Sequence, residues 1–343
     1  MKPSFFVRNR MNLRRTRYLP ALVLVVIFMS CPPAPARDKY VCKVSNISTP
    51  KLVGVNVGFH IQKELKERTN GAIEWQYFTD NILGGEVDVL NKLLLGEIQG
   101  MLCSSVTVAN LAPRMGILSL PFLIDSFEKR DKFVADKKLF QHMLDGVRDK
   151  RVIGIDVTDY GLYGWATKTP VHNLAEAGKI RFRIAEAPVS RDTYQALGIK
   201  PVILPWPEVA SALDQNAITG LDHTPGVVLL SNMTESIKGF TRTNHAVGWF
   251  VLLINQQFYD SLPDKLKQVF TEVIHEQCAA ARALGKSQEM DALNKMKAGG
   301  VEVIELAASE RQKMRDLTKP VWDKWAPLVG RDYLEEIKKL VSD

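Results

Sequence analysis

The residues best suited to hold a small molecule fall between positions 179 and 223, where apolar runs give way to polar loops. The run Ile180-Arg181-Phe182-Arg183-Ile184 alternates apolar and polar residues and ends at Ala185, which predicts a strand with Arg183 in its last positions. A guanidinium there offers a planar fork that makes two parallel hydrogen bonds to a carboxylate. A cleft that closes around the pair strengthens it by excluding water. Arg181, two residues earlier, projects from the same sheet face and takes the role if the register is shifted. Trp206, in Pro205-Trp206-Pro207, and Trp249, in the apolar run Asn244 to Ile254, add aromatic faces at strand ends.

Flanking elements position these side chains. After Arg183 comes an amphipathic helix, about Ser190 to Leu197, stopped by Gly198. A strand from Lys200 to Leu204 meets the Pro-Trp-Pro turn, and Glu208 opens another helix whose apolar residues Val209, Leu213 and Ile218 recur at helical spacing. Strand, helix, strand, helix within 45 residues is a parallel βα unit, and in open α/β sheets ligands bind at the strand ends.

This stretch resembles the signature of the DctP-like solute-binding proteins of tripartite ATP-independent periplasmic (TRAP) transporters. The matching pieces are Arg181-Phe182-Arg183-Ile184, Ala196-Leu197-Gly198, Pro205-Trp206-Pro207-Glu208-Val209 and Ala212-Leu213. The turn Thr219-Gly220-Leu221-Asp222-His223 departs from that pattern, with His223 where the family has asparagine. Leu83-Gly84-Gly85-Glu86 and Leu120-Pro121-Phe122 resemble two further family segments, so the likeness covers nearly the whole chain after the leader. Glu86 is most economically a charge favoured at a helix N-terminus, and it is carried as a site candidate. Ser104 and Ser105 close the run from Ile98, where the family has a strand ending in a loop beside the ligand. Ser48 and Thr49 offer hydroxyls after the first strand, Tyr40 to Val44, although such residues more often cap the following helix. In Tyr160-Gly161-Leu162-Tyr163, Tyr163 stands where the family commonly has an arginine that assists binding. A fixed positive charge is thereby exchanged for an aromatic ring with a hydroxyl.

The formal charge of +7 suggests a basic protein until it is located: residues 1–36 carry six cations and no acid, leaving one surplus charge for the rest. Nucleic-acid binding loses its compositional support. Residues 1–36 read as an export signal, with a basic region through Arg17, an apolar core from Leu19 to Met29 and Ala34-Pro35-Ala36 ahead of a cleavage before Arg37. That core is shorter than the roughly 20 residues of a membrane span. Cys31 as a lipoprotein site and Met11 as the start are the alternatives. The remaining cysteines, Cys42, Cys103 and Cys278, show no metal spacing. Cys42 and Cys103 read as buried thiols, with a disulfide open to them in an oxidising compartment.

Other constellations lead nowhere. His275-Glu276 lacks a second histidine at Ala279, and Gly54 to Gly58 misses the dinucleotide fingerprint. Asp222-His223 with Ser104 has no Gly-x-Ser-x-Gly elbow to make a hydrolase triad.

The resemblance implies a two-domain α/β periplasmic-binding-protein-like (Venus-flytrap) fold with crossing interdomain strands and a long bridging helix, expected here from Lys265 to Lys297. Residues 37–160 with 249–288 form one expected domain, and 161–248 with 289–343 the other. A short strand, Glu302 to Glu305, and two helical stretches broken by Pro320 and Pro327 complete the expected chain. The implied function is binding rather than catalysis: a periplasmic protein without metal, nucleotide or other cofactor captures a small organic acid and delivers it to integral membrane TRAP permease subunits. Arg183 would anchor the carboxylate of an apolar or aromatic monocarboxylate, with Trp206, Tyr163, His223, Ser104, Ser105, Trp249 and Glu86 around it. A ligand-presenting partner of a membrane sensor and an extracytoplasmic enzyme are the rival classes.

Overall fold

The structure is a computed structural model that describes residues 39–342, so the expected export signal, its cleavage site and Cys31 lie outside the described residues. Among the described residues eleven strands run in chain order: β1 Tyr40–Ser45, β2 Ile73–Phe78, β3 Gly100–Ser104, β4 Val152–Leu162, β5 Gly164–Thr167, β6 Phe182–Ile184, β7 Val202–Ile203, β8 Gly220–His223, β9 Gly239–Arg242, β10 Val247–Asn255 and β11 Glu302–Glu305. They form two sheets of order β2-β1-β3-β10-β4 and β11-β9-β5-β8-β6-β7. β3 and β10 are buried along their whole length, which explains their apolar sequence up to the terminal Ser104 and Asn255. β1 pairs parallel with β2 and β3, whereas β10 runs antiparallel to both β3 and β4.

The chain passes directly between the sheets at two places, from β4 to β5 through Tyr163 and from β9 to β10 through residues 243–246, and a third time, from β10 to β11, by way of a long helix. Backbone bonds tie the two crossings together: Tyr163 donates to Ala246 at 2.9 Å and accepts from Asn244 at 3.0 Å. The helix Asp264–Ala298, 35 residues and roughly 50 Å long, packs near its start on the first sheet through Phe270, Ile274 and Cys278. Near its end, Leu293 and Met296 pack with Phe240 and Leu221 of the second sheet. The long helix and the fold class therefore stand as expected. Gly285 does not interrupt the helix, and glycine is required there because a Cβ would strike the carboxylate of Asp159 and the guanidinium of Arg130.

Several boundaries differ for physical reasons. The strand expected from Ile180 begins only at Phe182, because Arg181 is turned out to bond the carbonyls of Ala217 and Asn216. Pro320 and Pro327 do not break the C-terminal region. Both lie inside the helix Ala308–Val329, whose buried face of Met314, Val321, Trp325 and Val329 outweighs the lost donors, and the chain turns instead at Gly330 with φ 100°. That helix and the next, Arg331–Val341, were expected with the second domain. Their residues Val321, Trp325, Ile337 and Val341 share a core with Trp249 and Leu253 of the first sheet and with Phe133 of the helix Phe127–Ala135, while Met314 packs with Trp165 and Phe182 of the second sheet. Cys42, Cys103 and Cys278 are free, buried thiols, and burial alone is the main force raising their pKa.

Candidate functional site

Residues of both sheets line a cavity of about 180 Å³. Its centre is Arg183 on β6, between Val202 of β7 and Leu221 of β8. The guanidinium is 4% exposed, and its Nε and Nη2 donate to the Leu204 carbonyl at 2.9 and 2.7 Å. That carbonyl fixes the plane of the fork. Among the described residues no carboxylate lies within 4.0 Å of it, and Nη1 has no protein partner. Burial pulls its pKa down to about 10, against the opposing influence of Tyr163, Asp222 and Glu86. A buried cation with so little compensation stabilises any anion brought to it.

Aromatic groups gather around this cation. Trp206 sits in a short 3-10 turn after Pro205, its ring centroid 5.6 Å from Arg183 Cζ and 4.9 Å from the His223 ring. Tyr163 lies on the crossing segment, 5.7 Å from His223 at 32° between planes, and its hydroxyl meets that of Tyr160 at 2.8 Å. Burial raises the Tyr163 phenol well above its usual range, so it stays neutral. His223 accepts the Thr224 backbone N–H on Nδ1 at 2.9 Å, leaving any ring proton on Nε2. Burial and the neighbouring Arg183 pull its pKa down to about 3. A protonated His223 ring is thus disfavoured.

The opposite wall comes from the first sheet. Glu86 opens the helix Glu86–Leu95 and accepts three hydrogen bonds: Ser104 N at 2.7 Å, Ser104 Oγ at 2.6 Å and Thr107 Oγ1 at 2.6 Å. Its role as a helix N-terminal charge and its place on the cavity wall coexist. Ser104 ends β3 facing the cavity, as does Ser48 in the loop after β1. Ser48 caps no helix, since the helix Val53–Arg68 has Leu52 at its N-cap.

Two sequence candidates are absent from the wall. Ser105 turns into the protein, where its hydroxyl meets Ser119 Oγ at 3.3 Å. Trp249 is 0% exposed and packs on Phe133, ring centroids 6.4 Å apart. The next residue, Phe250, pairs with Ser104 and faces the cavity, because successive strand residues point to opposite sides. Tyr160 was also missed. Its signal is Gly248 on the facing strand, where any Cβ would overlap the Tyr160 ring. Asp222, considered in the sequence only in the turn motif and in the dismissed hydrolase triad, is 7% exposed and lines both this cavity and a smaller one behind it. Its Oδ2 lies 3.5 Å from His245 Nε2, and its Oδ1 has no hydrogen-bond partner.

Two α/β sheets, two crossings, a shared long helix and a buried arginine in the cavity between the sheets define a periplasmic-type solute-binding protein. Residues 47–327 match the bacterial extracellular solute-binding protein family 7, DctP, and the chain belongs to that family. It is similar to the C4-dicarboxylate-binding periplasmic protein DctP of Rhodobacter capsulatus, 24% identical over 95% of this chain and 99% of the relative. The 2,3-diketo-L-gulonate-binding periplasmic protein YiaO of Escherichia coli is 26% identical over 70% and 73% of the two chains. Among solved structures, the sugar acid binding protein DctPAm of Advenella mimigardefordensis in complex with galactonate superposes with a TM-score of 0.84 at 22% identity, covering 90% of this chain and 99% of that one. A TRAP periplasmic solute binding protein of Shewanella oneidensis with bound succinate gives 0.83 at 23% identity, over 88% and 99%. The chain is accordingly a DctP-like TRAP solute-binding protein, whose family works in transport outside the cytoplasm.

Proposed function

We propose that this protein captures a small organic monocarboxylate, closes around it and presents it to the integral membrane subunits of a TRAP permease. The observation that carries the reading is Arg183, a buried guanidinium with its fork fixed on one carbonyl and no carboxylate of its own. The ligand's carboxylate takes Nη1 and shares Nη2, while Trp206, Tyr163, Tyr160 and Phe250 cover a compact apolar or aromatic body. Tyr163 supplies no second cation for a dicarboxylate. Relatives named for C4-dicarboxylates therefore mark the class of ligand and not its second charged group.

The lining comes from both sheets, so a ligand touching both favours the closed arrangement, and the two crossings are the natural hinge. Closure lets a membrane partner tell loaded from empty protein. Residues 1–36 serve export to the periplasm in this reading. Nothing in the mechanism requires bond chemistry, metal or nucleotide.

Thermal-shift screening of organic acids tests it. Compact monocarboxylates with apolar or aromatic bodies should raise the melting temperature, and Arg183→Ala should abolish the rise. Stabilisation by dicarboxylates and sialic-acid-like sugars, with none by monocarboxylates, would overturn the assignment.

A further inference from the structure

The charges on the cavity wall do not balance. One cation, Arg183, faces four carboxylates: Glu86 and Asp222 within, Asp88 and Glu186 towards the exposed rim. A plain monocarboxylate neutralises the arginine and leaves the acids facing its body. The aromatic rings of Tyr160, Tyr163, Trp206 and Phe250 line the same space, and negative ring faces also favour a cation. Asp222 gives an independent pointer: the side chain is more than nine-tenths buried, it lines the cavity, and its Oδ1 lacks a hydrogen-bond partner. An acceptor left unpaired in such a place is costly unless a bound molecule or its water satisfies it.

We infer that the ligand is a zwitterion, a monocarboxylate whose body carries a positively charged nitrogen set among the aromatic rings and facing Asp222 and Glu86. This rests on the assignment of the carboxylate to Arg183 and adds the second pole of the ligand.

Charge-only pairs of ligands test the inference on the mature protein. Glycine betaine and 3,3-dimethylbutyrate have the same shape and carboxylate, and differ in nitrogen for carbon. So do 4-(trimethylammonio)butyrate and 5,5-dimethylhexanoate. Titration calorimetry should show the ammonium member of at least one pair binding roughly tenfold tighter or more. In Asp222→Asn the ratio of affinities within a pair should shrink at least about threefold. The ratio is read within one protein, so a general loss of folding does not mimic it; a ligand-free melting curve checks the variant. Neutral acids binding as tightly as their ammonium partners would overturn the zwitterion and leave the Arg183 assignment intact. Binding of no member of either pair at millimolar concentration would overturn it too, with the organic-acid screen then deciding the fate of Arg183. A preference for hydroxy acids over both members would assign Asp222 to a hydroxyl instead and likewise exclude the cation.

Discussion

Two arginines are buried to nearly the same extent and live in opposite circumstances. Arg130, 3% exposed, donates to Asp159 at 2.7 Å and to Asp131, and its guanidinium lies 4.8 Å from the Phe127 ring centroid. Arg183, 4% exposed, has one carbonyl and the ring of Trp206, 5.6 Å from Cζ to the centroid. The first closes its own electrostatic account within the fold, tying the helix Phe127–Ala135 to β4. The second leaves it open. A charge that folding has desolvated without pairing is kept for a partner that arrives later.

The sharpest way to break this contrast is to truncate both. Arg183→Ala should weaken ligand binding by roughly a hundredfold or more, the cost of removing one member of a buried charge pair, while ligand-free stability changes little. Arg130→Ala should do the reverse, costing about 3–5 kcal/mol of stability by stranding Asp159. Calorimetric titration and urea unfolding of the two variants check both halves. Equal losses of stability would erase the distinction.

Protonation sharpens it further. Burial raises Asp159 to about 6 despite Arg130, and raises Glu289, which accepts from Leu162 N at 2.5 Å beside the first crossing, to about 7. Both folded-state values exceed those of the unfolded chain. Their stabilising contribution is full below about pH 4 and is lost as the pH rises through 6 and 7. Glu289→Gln should flatten the pH dependence of unfolding between 5 and 8 by on the order of 2 kcal/mol. In the cavity the signs differ. His223 has its pKa pulled down to about 3, so affinity should show no histidine step between pH 5 and 8. A step that disappears in His223→Gln would contradict the neutral ring.

The smallest expected effects separate neighbours on β10. Phe250→Leu should lower affinity a few-fold with little change in melting. Trp249→Phe should lower melting with affinity preserved, because Trp249 packs on Phe133 away from the ligand.

That pair also shows where the sequence was legible. Arg183 and Trp206 were readable because each stands beside a strand end or turn that a period of two or 3.6 makes visible, whereas Tyr163, His223, Ser104 and Glu86 were singled out by the family resemblance; all six line the cavity. Trp249 and Phe250 were not separable that way. β10 is apolar on both faces, so alternation leaves no mark to say which residue looks into the cavity. Tyr160 depended on Gly248, a partner 88 residues away that only the β4–β10 pairing brings close. The fold class, the long helix and the strand Glu302–Glu305 were legible from periodicity and from the family resemblance. The C-terminal helices were not, because a helix amphipathic in sequence does not name the core it covers, and two prolines suggested a break that packing overrides.

A crystal structure with bound ligand tests the central claim most directly. The account predicts a carboxylate against Arg183 with oxygen-to-nitrogen distances of about 2.7–2.9 Å, the Leu204 carbonyl still holding the fork, and both sheets touching the ligand. A carboxylate seated on other groups, with Arg183 bonded to Leu204 alone, would contradict it.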